Sequence, residues 1–445
     1  MEKNETQSAN LILLMFILFL GLSILFSINN VNAEADVLWS KTFGGTNYEW
    51  CNDVKQTVDG GFILIGESKS FSITDDSVIY LVKTDSEGNQ QWNKKIKYSA
   101  LSSDSGNSVQ QTFDEGYIIG GSTEVFTTTG AASATIGWYI FVVKTDSEGE
   151  ILWKKKFGSG GDDFASCIQQ TSDEGYVLVG SCLMKIDSDG DKIWEKDIEG
   201  QYVIETKDRG FIIVGPGMYS HSSLDLSLIK TDSEGNVNWI KTFGGSGQEA
   251  GLSVQQTFDS GFIISGGSTS FTDDYEARAR GHFFEMYLIK TDVNGSEQWQ
   301  KNFPDAEAGN SVLQTFDGGF FVVGGTYIGE KNGIFNWDIY IIKLDENGNE
   351  LWNDSIGGLD FETCTSALQT SDGGFILAGH TSSLGAGGND FYLLKVKESN
   401  IELTTTPTTT PERSQKIPGF SILGILFGVM FLSIRTRAAL KTETT

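Results

Sequence analysis

Tryptophan recurs at positions 39, 92, 153, 194, 239, 299 and 352, at intervals of 53, 61, 41, 45, 60 and 53 residues. A repeat of this length, filled with short apolar runs and turn residues, describes a chain that lays down one small sheet after another, as in a propeller. Aligned on Trp, the units share one grammar. A Trp strand such as Trp239-Ile-Lys-Thr-Phe243 leads through a loop to the alternation Ser253-Val-Gln-Gln-Thr257. A turn follows, then Phe262-Ile-Ile-Ser-Gly266, a variable loop, and Tyr287-Leu-Ile-Lys-Thr-Asp292 before the next Trp.

Two turn signatures punctuate each unit. The first is Asp-x-Gly in all seven, from Asp59/Gly61 to Asp372/Gly374; the second is Asp-x-x-Gly in six, from Asp85/Gly88 to Asp345/Gly348. Asp bonds its own backbone in such turns, and Gly supplies the positive φ that closes a hairpin, so both signatures read as geometry. Each Trp is expected to pack between neighbouring sheets.

The seventh unit ends after Phe391-Tyr-Leu-Leu-Lys395 without a Trp strand, while Val37-Leu-Trp-Ser-Lys-Thr-Phe43 is an orphan copy of that strand at the other end. The expected fold is therefore all-β: a seven-bladed β-propeller of four-stranded blades over 36–397, closed by the N-terminal strand in the last blade. An open solenoid is the alternative.

Both ends carry membrane signals. Leu11 to Phe26 is an apolar run followed by Val31-Asn32-Ala33, so 1–33 reads as a signal peptide, with a retained anchor as the alternative. Residues 398–416 include the Thr/Pro stretch 404–411 and read as a solvated stalk. Ile417 to Ile434 is apolar and is closed by Arg435, Arg437 and Lys441, which gives a transmembrane helix or sorting signal over 417–434 and a cytoplasmic tail over 435–445. The body is thereby expected at the cell surface, membrane-anchored and extracytoplasmic.

The pattern Leu-Ile-Lys-Thr-Asp-x-x-Gly-x-x-x-Trp resembles the quinoprotein-type (PQQ-like) β-propeller repeat, one residue shorter here between Asp and Gly. The whole unit resembles the repeats of archaeal and bacterial surface proteins over 36–397. Lys416-Ile-Pro-Gly-Phe420 followed by the apolar run resembles the PGF-type C-terminal sorting signal of archaeal surface proteins, which implies processing and lipid anchoring by a sortase-like enzyme. Quinoprotein dehydrogenases hold their cofactor with vicinal cysteines and a calcium site; no adjacent Cys pair occurs here. The resemblance implies the fold and not the activity, and no cofactor is expected.

Strand order puts both tight turns on one face and the variable loops on the other, where function is expected. The loop face holds the tryptophans outside the repeat, Trp50, Trp138 and Trp337, with Tyr48, Tyr219, Tyr275, Phe283, Phe284, Tyr327 and Phe335. Such a surface stacks on sugar rings or anchors a protein; the alternative is that the rings only pin loops to the body. Arg278, Arg280 and His282 form its basic spot. Its carboxylates are Glu49, Asp53, Asp162, Asp163, Glu249, Asp305, Glu307, Asp360 and Glu362, candidates for a cation site or an acid/base pair, or plain surface charge. With three His in three loops and no Gly-x-Ser-x-Gly, neither a metal centre nor a nucleophilic triad is expected.

The four cysteines suggest two bridges in an exported chain: Cys51–Cys364, at equivalent positions of adjoining blades, and Cys167–Cys182, flanking one hairpin; free buried thiols are the alternative. A net charge of −27 disfavours a nucleic-acid partner. The expected role is a membrane-anchored, monomeric binding or adhesion module for extracellular carbohydrate or protein. A polysaccharide-active or quinone-dependent enzyme on the same propeller is the alternative.

Overall fold

A computed structural model describes residues 35–72, 76–129, 132–216, 225–271, 284–331 and 334–399. These lie in a compact unit that runs to Asn400. The segments expected at 1–33 and 417–434 fall outside the described residues, among which no helix is long and apolar enough to cross a membrane.

The described residues form seven four-stranded antiparallel sheets, each built from consecutive strands except the last. Blade five is representative, with strands Glu249–Gln256, Phe262–Ser268, Glu285–Thr291 and Glu297–Glu307 from inside to outside. The seventh sheet takes three strands from the C-terminal end of the body, and Ala35–Phe43 pairs antiparallel with Asp390–Glu398 as its outer strand. The closure read from the orphan strand is thus present, and no sheet is left a strand short.

Alternation explains why these segments become strands and where each points. The second and third strands, such as Phe62–Ser68 and Val78–Thr84, are almost continuously buried because both faces of a middle strand meet a neighbouring blade. The outer strands alternate between half-buried and exposed positions, as in Val237–Phe243. The core consists of layers between blades, one such layer joining Ile212, Val214 and Leu228 of blade four to Phe262, Ile264 and Tyr287 of blade five.

The repeated tryptophan joins each blade to the next through two contacts. Trp194 of blade three lies 6.0 Å from Phe211 of blade four, and likewise Trp92, Trp153, Trp239 and Trp299 meet Tyr117, Tyr176, Phe262 and Phe320 at the start of the following blade's second strand. Each ring also covers the Asp-x-x-Gly turn of the following blade. A Cβ at Gly235 would stand 2.8 Å from the Trp194 ring, and the same residue has φ +74°, so this glycine answers both to its own backbone and to a neighbour. Trp352 precedes the blade without that turn and instead packs against Phe321, which stacks on Phe375 at 3.9 Å.

The first turn works differently from the expectation. Positive φ falls on its middle residue, as at Glu115 (65°), Arg209 (63°) and Ser260 (67°), and not on the glycine that follows. The glycine is needed for close approach: a Cβ at Gly261 would sit 2.1 Å from the Thr291 carbonyl and 2.8 Å from Lys290 Nζ.

That lysine is the Lys of the repeated Lys-Thr-Asp phrase. Lys83, Lys144, Lys185, Lys230, Lys290 and Lys343 are buried, and each ion-pairs with the Asp of its own blade's first turn at 2.8–3.0 Å. Lys395 makes the seventh pair with Asp372 at 2.5 Å. The Nζ also donates to a backbone carbonyl, for instance Thr231 O at 2.8 Å, so the buried ammonium is solvated by protein. Although partial burial raises their pKa, the lysine, the Thr hydroxyl and the turn N–H together hold Asp59 down at about 2 and keep Asp114, Asp173, Asp208, Asp259 and Asp317 below the usual carboxylate range.

Candidate functional site

The inner strands line a central channel of about 660 Å³, and their polar side chains are largely committed to holding it together. Asn52, Asn107 and Asn310 donate to Gly106 O, Ala165 O and Cys364 O of the next inner strand at 2.8–2.9 Å. One step along, Ser108, Ser253 and Ser311 accept N–H groups of the next blade. Further on, Gln111, Gln170, Gln314 and Gln369 accept the N–H of Val58, Phe113, Phe258 and Phe316 in the preceding blade's turn at 2.7–2.9 Å. The Ser-Val-Gln-Gln phrase is therefore a side-chain lacing between blades.

Asp53 takes the serine place in that ring. It accepts Ser366 Oγ at 2.9 Å, Val54 N–H at 2.9 Å and Val109 N–H at 3.2 Å, and pairs with Lys55 at 2.5 Å. Burial works to lower the Lys55 pKa, and the Asp53 carboxylate overrides it, leaving the ammonium above its usual range.

On the loop face the carboxylates divide into scaffold and surface. Glu49, Glu249 and Glu362 are buried at the start of the inner strands of blades one, five and seven. Each ties the loop that precedes it to the end of the second strand: Glu362 accepts hydrogen bonds from Gly358 N–H at 2.7 Å, Thr381 Oγ1 at 2.6 Å and Ser383 N–H at 3.1 Å. Glu49 does the same with Gly45, Ser68 and Ser70. These three are loop organisers whose lone pairs already have donors. Among the described residues no group of three or more His, Cys, Asp or Glu is placed to hold a metal ion.

The aromatic residues singled out from the sequence form separate clusters. Tyr48 and Trp50 stack at 5.6 Å with Lys69 Nζ 5.9 Å from the Trp50 ring centroid, in blade one. Trp138, in blade two, donates its backbone N–H to Gly161 O of the next blade's loop at 3.0 Å. Tyr327 and Trp337, in blade six, pack edge to face at 5.8 Å. Tyr275, Arg278, Arg280 and His282 lie outside the described residues, as do Tyr219 and Phe283.

The blade-six cluster carries a cavity. About 240 Å³ opens beside Trp337, Phe361, Glu307, Asn310, Glu362 and Thr363, where blades six and seven meet the end of blade five's outer strand. Phe361 stands edge-on to Trp337 at 5.8 Å and stacks on His380 at 5.6 Å. Burial lowers His380 to about 4, so it is neutral at physiological pH, and burial raises Glu307, an effect that the nearby Trp337 indole partly offsets. Burial and the nearby Glu362 likewise raise Asp338. Two aromatic walls with a carboxylate and amide at the rim suit a pyranose ring or a planar side chain. Phe361 was not among the sequence candidates; its signal was its place three residues after the Gly-Gly of the loop that Glu362 organises.

All four cysteines are free thiols, against both expected bridges. Cys167 belongs to the core layer between blades three and four and Cys182 packs on the layer between blades two and three, so they face opposite sides of one sheet. Cys51 and Cys364 sit in successive layers, at positions related by the blade-to-blade rotation, and equivalent side chains in such a ring point the same way round instead of converging. Cys364 Sγ donates instead to Ser366 O at 3.4 Å.

The tight-turn face carries an unexpected feature. The residue before each first-turn Asp points to solvent, and in four blades it is apolar: Val58 is 78% exposed, Phe113 70%, Phe258 66% and Phe316 65%.

No protein-family model matches the chain, and neither does any curated protein. Among solved structures it is similar to the WD40 domain of Pan2 from Neurospora crassa, with TM-score 0.51 and 11% identity over 82% of this chain and 96% of that one. It is also similar to a protein of unknown function from Dyadobacter fermentans (TM-score 0.47, 11% identity, 82% and 99% covered) and to Sqt1 from Chaetomium thermophilum (0.47, 10%, 82% and 100%). At such identities the likeness to Pan2 shows the propeller fold alone.

Proposed function

We propose that this protein is a membrane-anchored, extracytoplasmic binding module that takes a carbohydrate or protein ligand on its loop face, at the Trp337–Phe361 cavity. The observation that carries this reading is the cavity itself: two aromatic walls meeting Glu307 and Asn310 where two blades' loops diverge from the repeat. The tether rests on the apolar run 417–434 and its resemblance to PGF-type sorting segments, and the surface address on the signal-like run 11–26 and the resemblance of the whole unit to the repeats of archaeal and bacterial surface proteins.

Binding is favoured over the enzymatic alternative because Glu49, Glu249 and Glu362 already have donors on both carboxylate oxygens and organise loops. The test is a glycan array probed with the detergent-solubilised full chain, alongside Trp337→Ala and Phe361→Ala. Retention of one glycan class by wild type and its loss in both variants is the expected result. Retention unchanged in both variants overturns the site, and no retention of any glycan removes the carbohydrate half of the reading.

A further inference from the structure

Four strongly exposed apolar residues of the tight-turn face, Val58, Phe113, Phe258 and Phe316, occupy one position of the repeat, in blades one, two, five and six. A large apolar side chain that is two-thirds exposed on a turn does nothing for the core, and several at one end of a molecule mark a contact surface. Their backbone N–H groups are each held by a glutamine of the next blade, so the rings are presented on fixed turns. Blades three and seven carry Ser172 and Ser371 at this position, and blade four Lys207, so the fold itself does not require an apolar residue there.

The ends of the body are on this face. In every complete blade the third strand runs into the Asp-x-x-Gly turn; Asp390–Glu398 is the third strand of blade seven, so Glu398 lies at the tight-turn end. Its register partner is Ala35, which places the other end of the body beside it. The sequence beyond Glu398 includes the apolar run 417–434, and the sequence before Ala35 includes Leu11 to Phe26.

We propose that the tight-turn face docks on the bilayer surface, with Val58, Phe113, Phe258 and Phe316 entering the interfacial region, and that the loop face is thereby turned outward. Aromatic and aliphatic side chains on rigid turns next to a tether meet the interface without ordering cost, and the tether supplies a high effective concentration. The outer turns of the same face carry the exposed acids Glu87, Glu148 and Glu234, so the headgroups that suit it are uncharged or zwitterionic. This inference rests on the membrane-anchored part of the proposed function.

The test is neutron reflectometry on the full chain reconstituted in a supported phosphatidylcholine bilayer, with alkaline extraction of the same vesicles to establish integration. A Phe113→Ser/Phe258→Ser/Phe316→Ser variant is measured beside wild type; serine is native at this position in two blades, and circular dichroism and thermal melting check its fold. The expected result is body density against the headgroups for wild type, with a water layer opening beneath it in the variant. Half phosphatidylglycerol at low salt is expected to open the same gap in wild type. An integrated wild-type body standing off on a water layer overturns docking and leaves the anchor intact. A chain removed by alkaline extraction overturns both. Seating unchanged in the triple variant overturns the role of the phenylalanines, and seating only after a soluble protein is added assigns the face to that protein instead.

Discussion

The two faces of the propeller use the same kinds of residue for opposite ends. On the tight-turn face every Asp of the first turn has its lysine, and the pair recurs in each blade with almost the same distances. On the loop face a buried glutamate organises the loop in blades one, five and seven, while other blades depart from that arrangement: blade three has Asp163 accepting Ser159 N–H, and blade six opens the Trp337 cavity. Repetition therefore marks groups whose bonding capacity is used up, and the proposed ligand surface lies where the repeat breaks. The exposed phenylalanines qualify this rule, because they sit at a repeated position that the scaffold does not use.

The blade junctions of the scaffold should respond most strongly to substitution. Trp194→Ala removes a ring packed on Phe211 and Gly235 and is expected to cost about 3–5 kcal/mol, read from guanidinium unfolding. A loss below about 1 kcal/mol would remove the tryptophan from the scaffold. The ion pairs come next, with an asymmetry: Asp208→Ala leaves a buried ammonium and should cost about 2–4 kcal/mol, whereas Lys230→Met leaves an aspartate that water can reach and should cost about half as much. Equal costs in urea unfolding would mean the lysine is not effectively buried.

Acid acts on all seven pairs at once. Their aspartates are held below the ordinary value of 3.8, at about 2 for Asp59, so the stability they contribute is present above pH 4 and drains away as pH falls towards 2. Chemical denaturation between pH 4 and pH 2 should show a steep decline, shallower in an Asp208→Asn/Lys230→Met chain. The smallest effect belongs to the exposed rings: Phe113→Ser is expected to change stability by no more than about 0.5 kcal/mol. A larger loss would assign Phe113 to the scaffold.

Much of the fold was legible because a propeller writes its plan in periodic form. The Trp spacing, the two Asp/Gly turns and the orphan strand Val37–Phe43 were enough for blade number and closure. What was not legible depends on partners across strands. Nothing in the sequence assigns Lys230 a partner until register brings it to Asp208, and Gly261 reads as a φ requirement until the Thr291 carbonyl is found against it. The cysteines misled for the same reason, since equal sequence position in two blades implies rotation and not proximity. Of the candidate site, Trp337 and Tyr327 were visible as aromatics outside the repeat. Phe361 had only its place after the Gly-Gly of its loop to mark it, and its partnership with Trp337 and His380 across two blades emerges only in space.

The closing strand pair also decides how the ring responds to force. Ala35 faces Glu398 and Phe43 faces Phe391, so both loose ends of the body leave from one end of a single hydrogen-bonded ladder. A pull applied between those ends opens the ladder rung by rung, as a zip opens, and needs far less force than sliding the two strands past each other. A chain gripped at only one end offers no such lever, and drag on the body is then borne by the linker and not by the clasp.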